Sequence, residues 1–243
     1  MLNVFKKGSI AQSGVLAGFT DIHSHILPGV DDGVKSDEEA IGILDYYQAL
    51  GVKKVVFTPH VMEDYPQNTA VFLRARFEQF QHLYRGGVQL ALGAEYMLDH
   101  RFEEHLESGE LLPVIHDYLL VETSYINLPF HFTERLKAIM AKGYFVILAH
   151  PERYGYMQKL KDFSQLKETG VLFQMNLLSV TGFYGRAVEK KTKMLLDAGY
   201  YDFIGMDIHG PDYLSGKVMN QPVVQRYIEQ VLQLKGIVKC PDL

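Results

Sequence analysis

About seven times along this chain a short apolar run gives way to a stretch with helical periodicity. The apolar runs are residues 19–22, 53–58, 88–93, 118–121, 144–149, 171–175 and 202–206. Most are apolar throughout rather than alternating, as in strands buried on both faces of a parallel sheet. Between them, apolar residues recur at helical spacing, as in Ala40, Ile43, Leu44 and Tyr47 behind the capping box that opens at Ser36. Gly51, Gly143, Gly170 and Gly199 stand where such helices should stop. Strand–helix alternation of this kind predicts a parallel sheet covered by helices. Seven units, with no G-x-G-x-x-G and no Walker A motif, fit a distorted (β/α)7 TIM-like barrel better than a doubly wound sheet. The 243 residues, 47% apolar, suffice for one large core, and no Pro-, Gly- or Ser-rich linker divides them. One α/β domain over 19–243 is expected, behind an N-terminal leader at 1–18.

The residues at the end of each apolar run are chemically selective. The first run leads into His23 and His25, spaced i, i+2, so that on an extended backbone both imidazoles share a face, with Asp21 beside them. Pro28, Gly29 and the Asp31-Asp32-Gly33 turn then bring further carboxylates into a tight loop. Later runs end at His60, Glu95, Glu122, His150, and Asp207 with His209. Alone, H-x-H is as readily a surface loop that happens to hold two histidines. In a parallel barrel, however, all C-terminal strand ends meet at one rim, so the dispersed set becomes a cluster. Neutral imidazole with carboxylate suits Mn, Fe or Zn. The nine residues His23, His25, Asp32, His60, Glu95, Glu122, His150, Asp207 and His209 exceed what one ion with an open position needs. Two or three divalent ions are expected, able to clamp a phosphoryl group and lower the pKa of a water.

Arg153, three residues beyond His150, falls at the same rim, where a guanidinium can hold phosphate oxygens bidentately; the alternative is an ion pair with Glu152 or another rim carboxylate. Tyr96, Tyr125, Phe130 and Tyr154 also follow strand ends, as walls of an aromatic substrate pocket or as loop packing. His82, His100 and His105 lie on polar helical stretches and are expected in solvent, His116 in a loop, and His131 in loop packing.

Composition narrows the classes further. A net charge of −5 without a basic tract disfavours nucleic acid as the main ligand. The single cysteine, Cys240, allows no disulfide framework, and no run approaches membrane-span or signal-peptide length. A cytoplasmic protein is the expectation. Cys240 precedes only Pro241, Asp242 and Leu243, so the thiolate-and-loop chemistry of cysteine phosphatases has no place here.

Taken in order, H-x-H at 23–25, P-H at 60, G-A-E at 93–95, A-H-P-E-R-Y at 149–154 and D-x-H at 207–209 resemble the PHP (polymerase and histidinol phosphatase) superfamily. The versions D-I-H-S-H-I-L-P-G-V-D-D-G and A-H-P-E-R-Y are most similar to bacterial manganese-dependent protein-tyrosine phosphatases of capsule and exopolysaccharide operons. The resemblance runs from about residue 19 to 210. It implies a distorted (β/α)7 barrel with three metal ions. One would be held by His23, His25, Glu95 and Asp207, a second by Glu95, Glu122 and His150, and a third by Asp32, His60 and His209. It further implies that Arg153 contacts phosphate and that the substrate is phosphotyrosine in a protein such as a capsule-regulating tyrosine kinase. One departure stands out: the family's second arginine, soon after D-x-H, is missing from GPDYLSGKVMNQP, where Lys217 offers only a point charge.

Metal-dependent phosphomonoester hydrolysis is therefore the expected activity, with Arg153 neutralising the phosphoryl oxygens. A small-metabolite phosphatase of the histidinol phosphate type is the first rival. A metal-dependent amidohydrolase is the second, although no lysine ends a strand: Lys53 and Lys54 begin theirs. A metal-binding module without turnover is the third.

Overall fold

The computed structural model describes residues 6–237, so Cys240 and the first five residues of the leader lie outside the described residues. In chain order the elements are β1 (Lys7–Gly8), β2 (Thr20–Asp21), α1 (Asp37–Ala49), β3 (Lys54–Phe57), β4 (His60–Val61), α2 (Ala70–Leu83), β5 (Gln89–Leu92) and β6 (Glu95–Met97). Then come α3 (Phe102–Ser108), β7 (Tyr118–Glu122), α4 (Phe132–Ala141), β8 (Phe145–Ala149), α5 (Leu160–Glu168) and β9 (Leu172–Asn176). The chain continues through α6 (Arg186–Asp197), β10 (Phe203–Gly205), α7 (Gly216–Met219), β11 (Val223–Val224) and α8 (Gln225–Ile237). The helices form where propensity and capping agree. Ser36 accepts a hydrogen bond from the Glu39 amide at the start of α1, and Thr69 does the same for Phe72 at the start of α2. The buried face of α1 is Ala40, Ile43, Leu44 and Tyr47, as its period predicts.

The result is a mixed α/β fold with parallel sheets. Six strands pair in the order β10-β9-β8-β7-β6-β4, and three more in the order β2-β3-β5. The sheets do not form one continuously hydrogen-bonded cylinder. The β3–β4 run is broken at Thr58-Pro59 and the β5–β6 run at Gly93-Ala94, with Gly93 N to Phe57 O (2.8 Å) and Glu95 N to Pro59 O (3.1 Å) carrying the ladder across. On the far side His25 N donates to Ile208 O (2.9 Å) and Asp207 N to His23 O (2.8 Å).

Strand residues divide between two apolar clusters with the period of a pleated strand. Val55 and Phe57, Leu119 and Val121, Val146 and Leu148 face the helices in the large core. Val56, Leu120 and Ile147 between them meet Ile22, Val114 and Ile115 in a small inner core. That inner plug lies on the strands just before their polar ends, so it supports the site from below.

The antiparallel β1–β11 pair, Lys7 with Val224 and Gly8 with Val223, has no counterpart among the elements expected from sequence. Two-residue strands have no measurable period, and their partner lies at the other end of the chain. The leader is thus tied down, with Ile10, Val15 and Leu16 buried in the large core. No described helix is long and apolar enough to cross a membrane.

Candidate metal centre

Every one of the nine residues singled out from the sequence reaches the same end of the strands. Three groups have ligand atoms mutually within 4.8 Å: His23, His25, Glu95 and Asp207; His25, Asp32, His60 and His209; and His60, Glu95 and Glu122. His150 joins through Nε2, 3.0 Å from Glu95 Oε1 and 3.8 Å from Glu122 Oε2. This grouping departs from the expected one in two respects: His25 joins Asp32, His60 and His209, and the set at Glu122 changes. His60, rather than His150, stands between Glu95 and Glu122, with Nδ1 3.2 Å from Glu95 Oε2 and 3.0 Å from Glu122 Oε1.

The hydrogen bonds fix the orientation of the first group. Asp207 Oδ2 can only accept, so the 2.6 Å contact comes from Asn176 Nδ2. Asn176 Oδ1 therefore accepts from Gln174 Nε2 (2.9 Å), which leaves Gln174 Oε1 to accept from His23 Nδ1 at 2.8 Å. His25 Nδ1 likewise donates to Asp31 Oδ2 at 2.9 Å. With both Nδ1 atoms engaged, the two Nε2 atoms face each other at 3.2 Å. Glu95 Oε2 and Asp207 Oδ1 complete the ring, buried and without a hydrogen-bond partner. As neutral imidazoles, these are four acceptors converging on one point, an arrangement that a cation satisfies. His60 Nδ1, also buried and without a partner, extends the same deficit into the third group. The donor set thus fits divalent metal ions bound by imidazole and carboxylate.

The electrostatics carry the same message. Burial opposes charge on His23, yet Glu95 and Asp207 raise it above its ordinary value. Burial is likewise overcome at His25, chiefly by Asp31. His60 is pushed up to about 10, against burial and His25, by Glu122 and Glu95. Glu95 and Asp207, although buried, are held well below the carboxylate range, with His23 the leading cause for both. Burial and His25 lower His209 to about 4. The pocket demands positive charge, from protons or from metal ions.

Backbone geometry serves the cluster. His150 and Asp207 sit at φ +33° and +53°, in the left-handed region that β-strand residues avoid. Each turns a side chain inward at the point where its strand ends. Gly205 lets β10 approach: a Cβ there would stand 2.6 Å from His23 Cβ and 2.9 Å from Gln174 Nε2.

Asp21, placed beside the histidines by sequence, turns away from them. It accepts from Met206 N (2.9 Å), Tyr47 OH (2.8 Å) and His23 N (3.2 Å). Burial raises it to about 6 despite those donors. Glu152 does not pair with Arg153. It is buried against Asn176 N (2.9 Å), Ser179 Oγ (2.7 Å) and Tyr201 OH (3.0 Å). Arg153 instead donates from Nη1 to Asp207 Oδ2 at 2.8 Å.

A cavity of about 400 Å³ opens over the cluster and includes Arg153 and Tyr125 in its lining. Its other aromatic walls are Tyr65, stacked on His60 with ring centres 6.3 Å apart, and Tyr213, stacked on His209 at 5.9 Å. The sequence singled out neither: Tyr65 lies in the connection after β4 and Tyr213 in a short 3-10 turn, Pro211–Leu214, after His209. Gln174 and Asn176 were missed because amides carry no ligand signal; their placement at the end of β9 was the available clue. A slightly larger groove, about 460 Å³ beside Phe132, Met157 and Leu166, contains none of the clustered ligands. Of the other expected wall residues, Tyr96 and Tyr154 are buried, and Phe130 is 89% exposed. Lys217 is exposed on α7 and does not line the cavity, so it does not replace a second arginine there. His82, His100, His116 and His131 are exposed, and His105 is partly buried against the Tyr96 ring.

Known proteins share the chain's sequence pattern and its fold. Residues 19–231 match the family described as capsular polysaccharide synthesis, CpsB/CapC. The tyrosine-protein phosphatase CpsB of Streptococcus pneumoniae is 28% identical over 236 residues, covering 92% of this chain and 93% of that protein. The tyrosine-protein phosphatase YwqE of Bacillus subtilis is 26% identical over 194 residues, 78% of this chain and 76% of its own. A solved structure from work on YwqE and CpsB, described there as metal-dependent tyrosine phosphatases, superposes with a TM-score of 0.74 at 23% identity. It covers 92% of this chain and 90% of that one. The Listeria monocytogenes lactonase Lmo2620 shares the fold more loosely, with a TM-score of 0.55 at 14% identity over 92% of both chains.

Proposed function

Since the chain belongs to the CpsB/CapC family of capsular polysaccharide synthesis, we propose that it is a metal-dependent protein-tyrosine phosphatase. The carrying observation is the convergence of His23 and His25 Nε2 with Glu95 Oε2 and Asp207 Oδ1 beneath a cavity that holds an arginine. Two or three divalent ions, Mn in the first instance with Fe or Zn as alternatives, would be held by the nine clustered residues. Glu95 would be shared between ions, because its Oε2 faces His23, His25 and His60 and its Oε1 faces His150. When bound, such ions supply Lewis-acid charge for the phosphoryl oxygens and lower the pKa of water to make a nucleophile at neutral pH.

The chain's own residues do the rest. Asp31 and Gln174 hold the two imidazoles in the tautomer that presents Nε2. Arg153 presents a guanidinium to the phosphoryl oxygens as charge develops on them. Tyr65, Tyr125 and Tyr213 wall the cavity with rings that suit an aryl phosphate. A phenolate leaves readily, so no strong general acid is required of the side chains. On the resemblance, the substrate is a phosphotyrosine protein such as a capsule-regulating tyrosine kinase, met in the cytoplasm. The fold we infer is a distorted (β/α)7 barrel over 19–243 with a leader at 1–18. The inner apolar plug and the His25–Ile208 and Asp207–His23 backbone bonds support it.

The test is metal analysis and a substrate panel on one purified sample: phosphotyrosine peptides, phosphoserine peptides and small phosphates including histidinol phosphate. Phosphotyrosine should be preferred, and activity should follow metal content. Preference for the small phosphates would replace this reading with the metabolite phosphatase; no turnover by metal-loaded protein would leave a binding module.

A further inference from the structure

We infer that Tyr125 and Tyr184 are positioning residues: an aromatic vise that aims Arg153, making one preorganised guanidinium the whole cationic phosphate fork. This rests on the phosphatase reading above. The Arg153 guanidinium carbon lies 4.4 Å from the centre of the Tyr125 ring and 4.6 Å from that of Tyr184. The three residues come from the connections after β7, β8 and β9, so the fold, not the local sequence, assembles them. One nitrogen is taken by Asp207 Oδ2 at 2.8 Å. With rings near it and that nitrogen engaged, the remaining N–H groups are the ones left for the cavity that Arg153 lines.

Two further observations separate a vise from ordinary loop packing. Tyr184 OH also accepts from Asn176 Nδ2 at 3.4 Å, and the same amide group donates to Asp207 Oδ2 at 2.6 Å. The carboxylate partner of Arg153 and one of its rings therefore share a buried amide. Among the described residues, Arg153 is also the only arginine or lysine lining the cavity, which otherwise includes Asp32, Asp64 and Glu122. A lone cation among carboxylates binds phosphate well only if part of its fork stays free of them, and here one nitrogen goes to Asp207. A ring face attracts a guanidinium without consuming its in-plane donors, so it can hold the group while leaving it free to bind.

The experiment measures kcat and KM on a phosphotyrosine peptide, inorganic phosphate binding by calorimetry, and metal content, in the metal-loaded protein. Tyr184→Leu should weaken phosphate binding and raise KM, lowering kcat/KM by about threefold to thirtyfold with metal content unchanged. Tyr184→Phe keeps the ring face but loses the hydroxyl that accepts from Asn176, so it should fall between wild type and Tyr184→Leu. Tyr125→Leu, on an exposed loop, should repeat the Tyr184→Leu pattern even if the latter folds poorly. In an Arg153→Ala background, which leaves no cation for the ring to hold, Tyr184→Leu should cost nothing further. Leucine variants with wild-type KM and phosphate affinity would overturn the vise, as would a Phe variant as impaired as the Leu variant. Wild-type protein that binds phosphate but does not hydrolyse the peptide would overturn the phosphatase reading instead. The calorimetric comparison would still decide the vise.

Discussion

Two neighbouring regions of this molecule invert the usual distribution of polar and apolar residues, in opposite directions. At the strand ends, His23, His25, Glu95, Glu122, His150 and Asp207 are buried at no more than 2% exposure. The loop that follows β7 does the reverse, leaving Ile126 at 77%, Leu128 at 57% and Phe130 at 89% exposed. Burying several ionisable groups is unfavourable unless something compensates. The orphaned acceptors at the centre show that protein hydrogen bonds alone do not. Exposed apolar side chains carry a far smaller penalty, and a single one requires no explanation. The two regions meet at Tyr125, which both lines the cavity and begins the exposed stretch. The lesson is that the rim is defined by an electrostatic requirement, whereas the loop is held at its base, where Tyr125 O accepts from Gly155 N at 2.7 Å, and leaves its apolar side chains beyond Tyr125 in solvent.

Ways to break that contrast run from the centre outward. Glu95→Ala should have the largest effect, because one carboxylate faces four imidazoles. We expect loss of most bound metal and at least about a hundredfold in kcat/KM; full metal content with full activity would refute the cluster. Arg153→Lys and Arg153→Ala should each lower kcat/KM by about tenfold to a hundredfold with metal intact, since lysine keeps the charge and loses the fork. Wild-type kinetics in both variants would make Arg153 structural. Gln174→Leu removes the acceptor that sets the His23 tautomer and should weaken metal affinity about tenfold to a hundredfold, read by competition with a chelator. Unchanged affinity would show that Glu95 and Asp207 orient His23 unaided.

Stripping the ions should lower the melting temperature by about 5–10 °C if they were present at about a hundred times their dissociation constant, and Mn should restore it. No change on chelation would mean that protons satisfy the rim as well as metal does. The smallest effect belongs to the loop: Ile126→Ser and Phe130→Ser should alter stability by less than about 0.5 kcal/mol and leave metal content alone. Calorimetric melting and metal analysis check this, and a larger loss would show that the loop packs after all.

Much of the fold could be read from local pattern. Apolar runs, capping residues and stop glycines are encoded within a turn or two of where they act, so the strand–helix alternation and the rim location of all nine candidate ligands were accessible. His23 and His25 were the clearest case, since i, i+2 spacing on an extended chain leaves little choice of face. The leader was opaque for the converse reason: Lys7 and Gly8 are paired by Val224 and Val223, more than two hundred positions away.

The sequence by itself determined which kinds of residue would gather and at which end of the strands. Only tertiary structure decided which atom of each faces whom. Asp31 and Asp32 are adjacent, yet the first holds His25 Nδ1 while the second reaches His60 and His209. Glu152 was the carboxylate the sequence named beside Arg153, yet Asp207 is the one that pairs with it, and the positive φ at His150 and Asp207 helped to aim the side chains that settled it. Gln174 and Asn176, unremarkable in the sequence, became the hinge between His23 and Asp207 once β9 lay between β8 and β10. Residue type and period are properties of a chain, whereas a hydrogen-bond partner is a property of neighbours that the chain brings in from elsewhere.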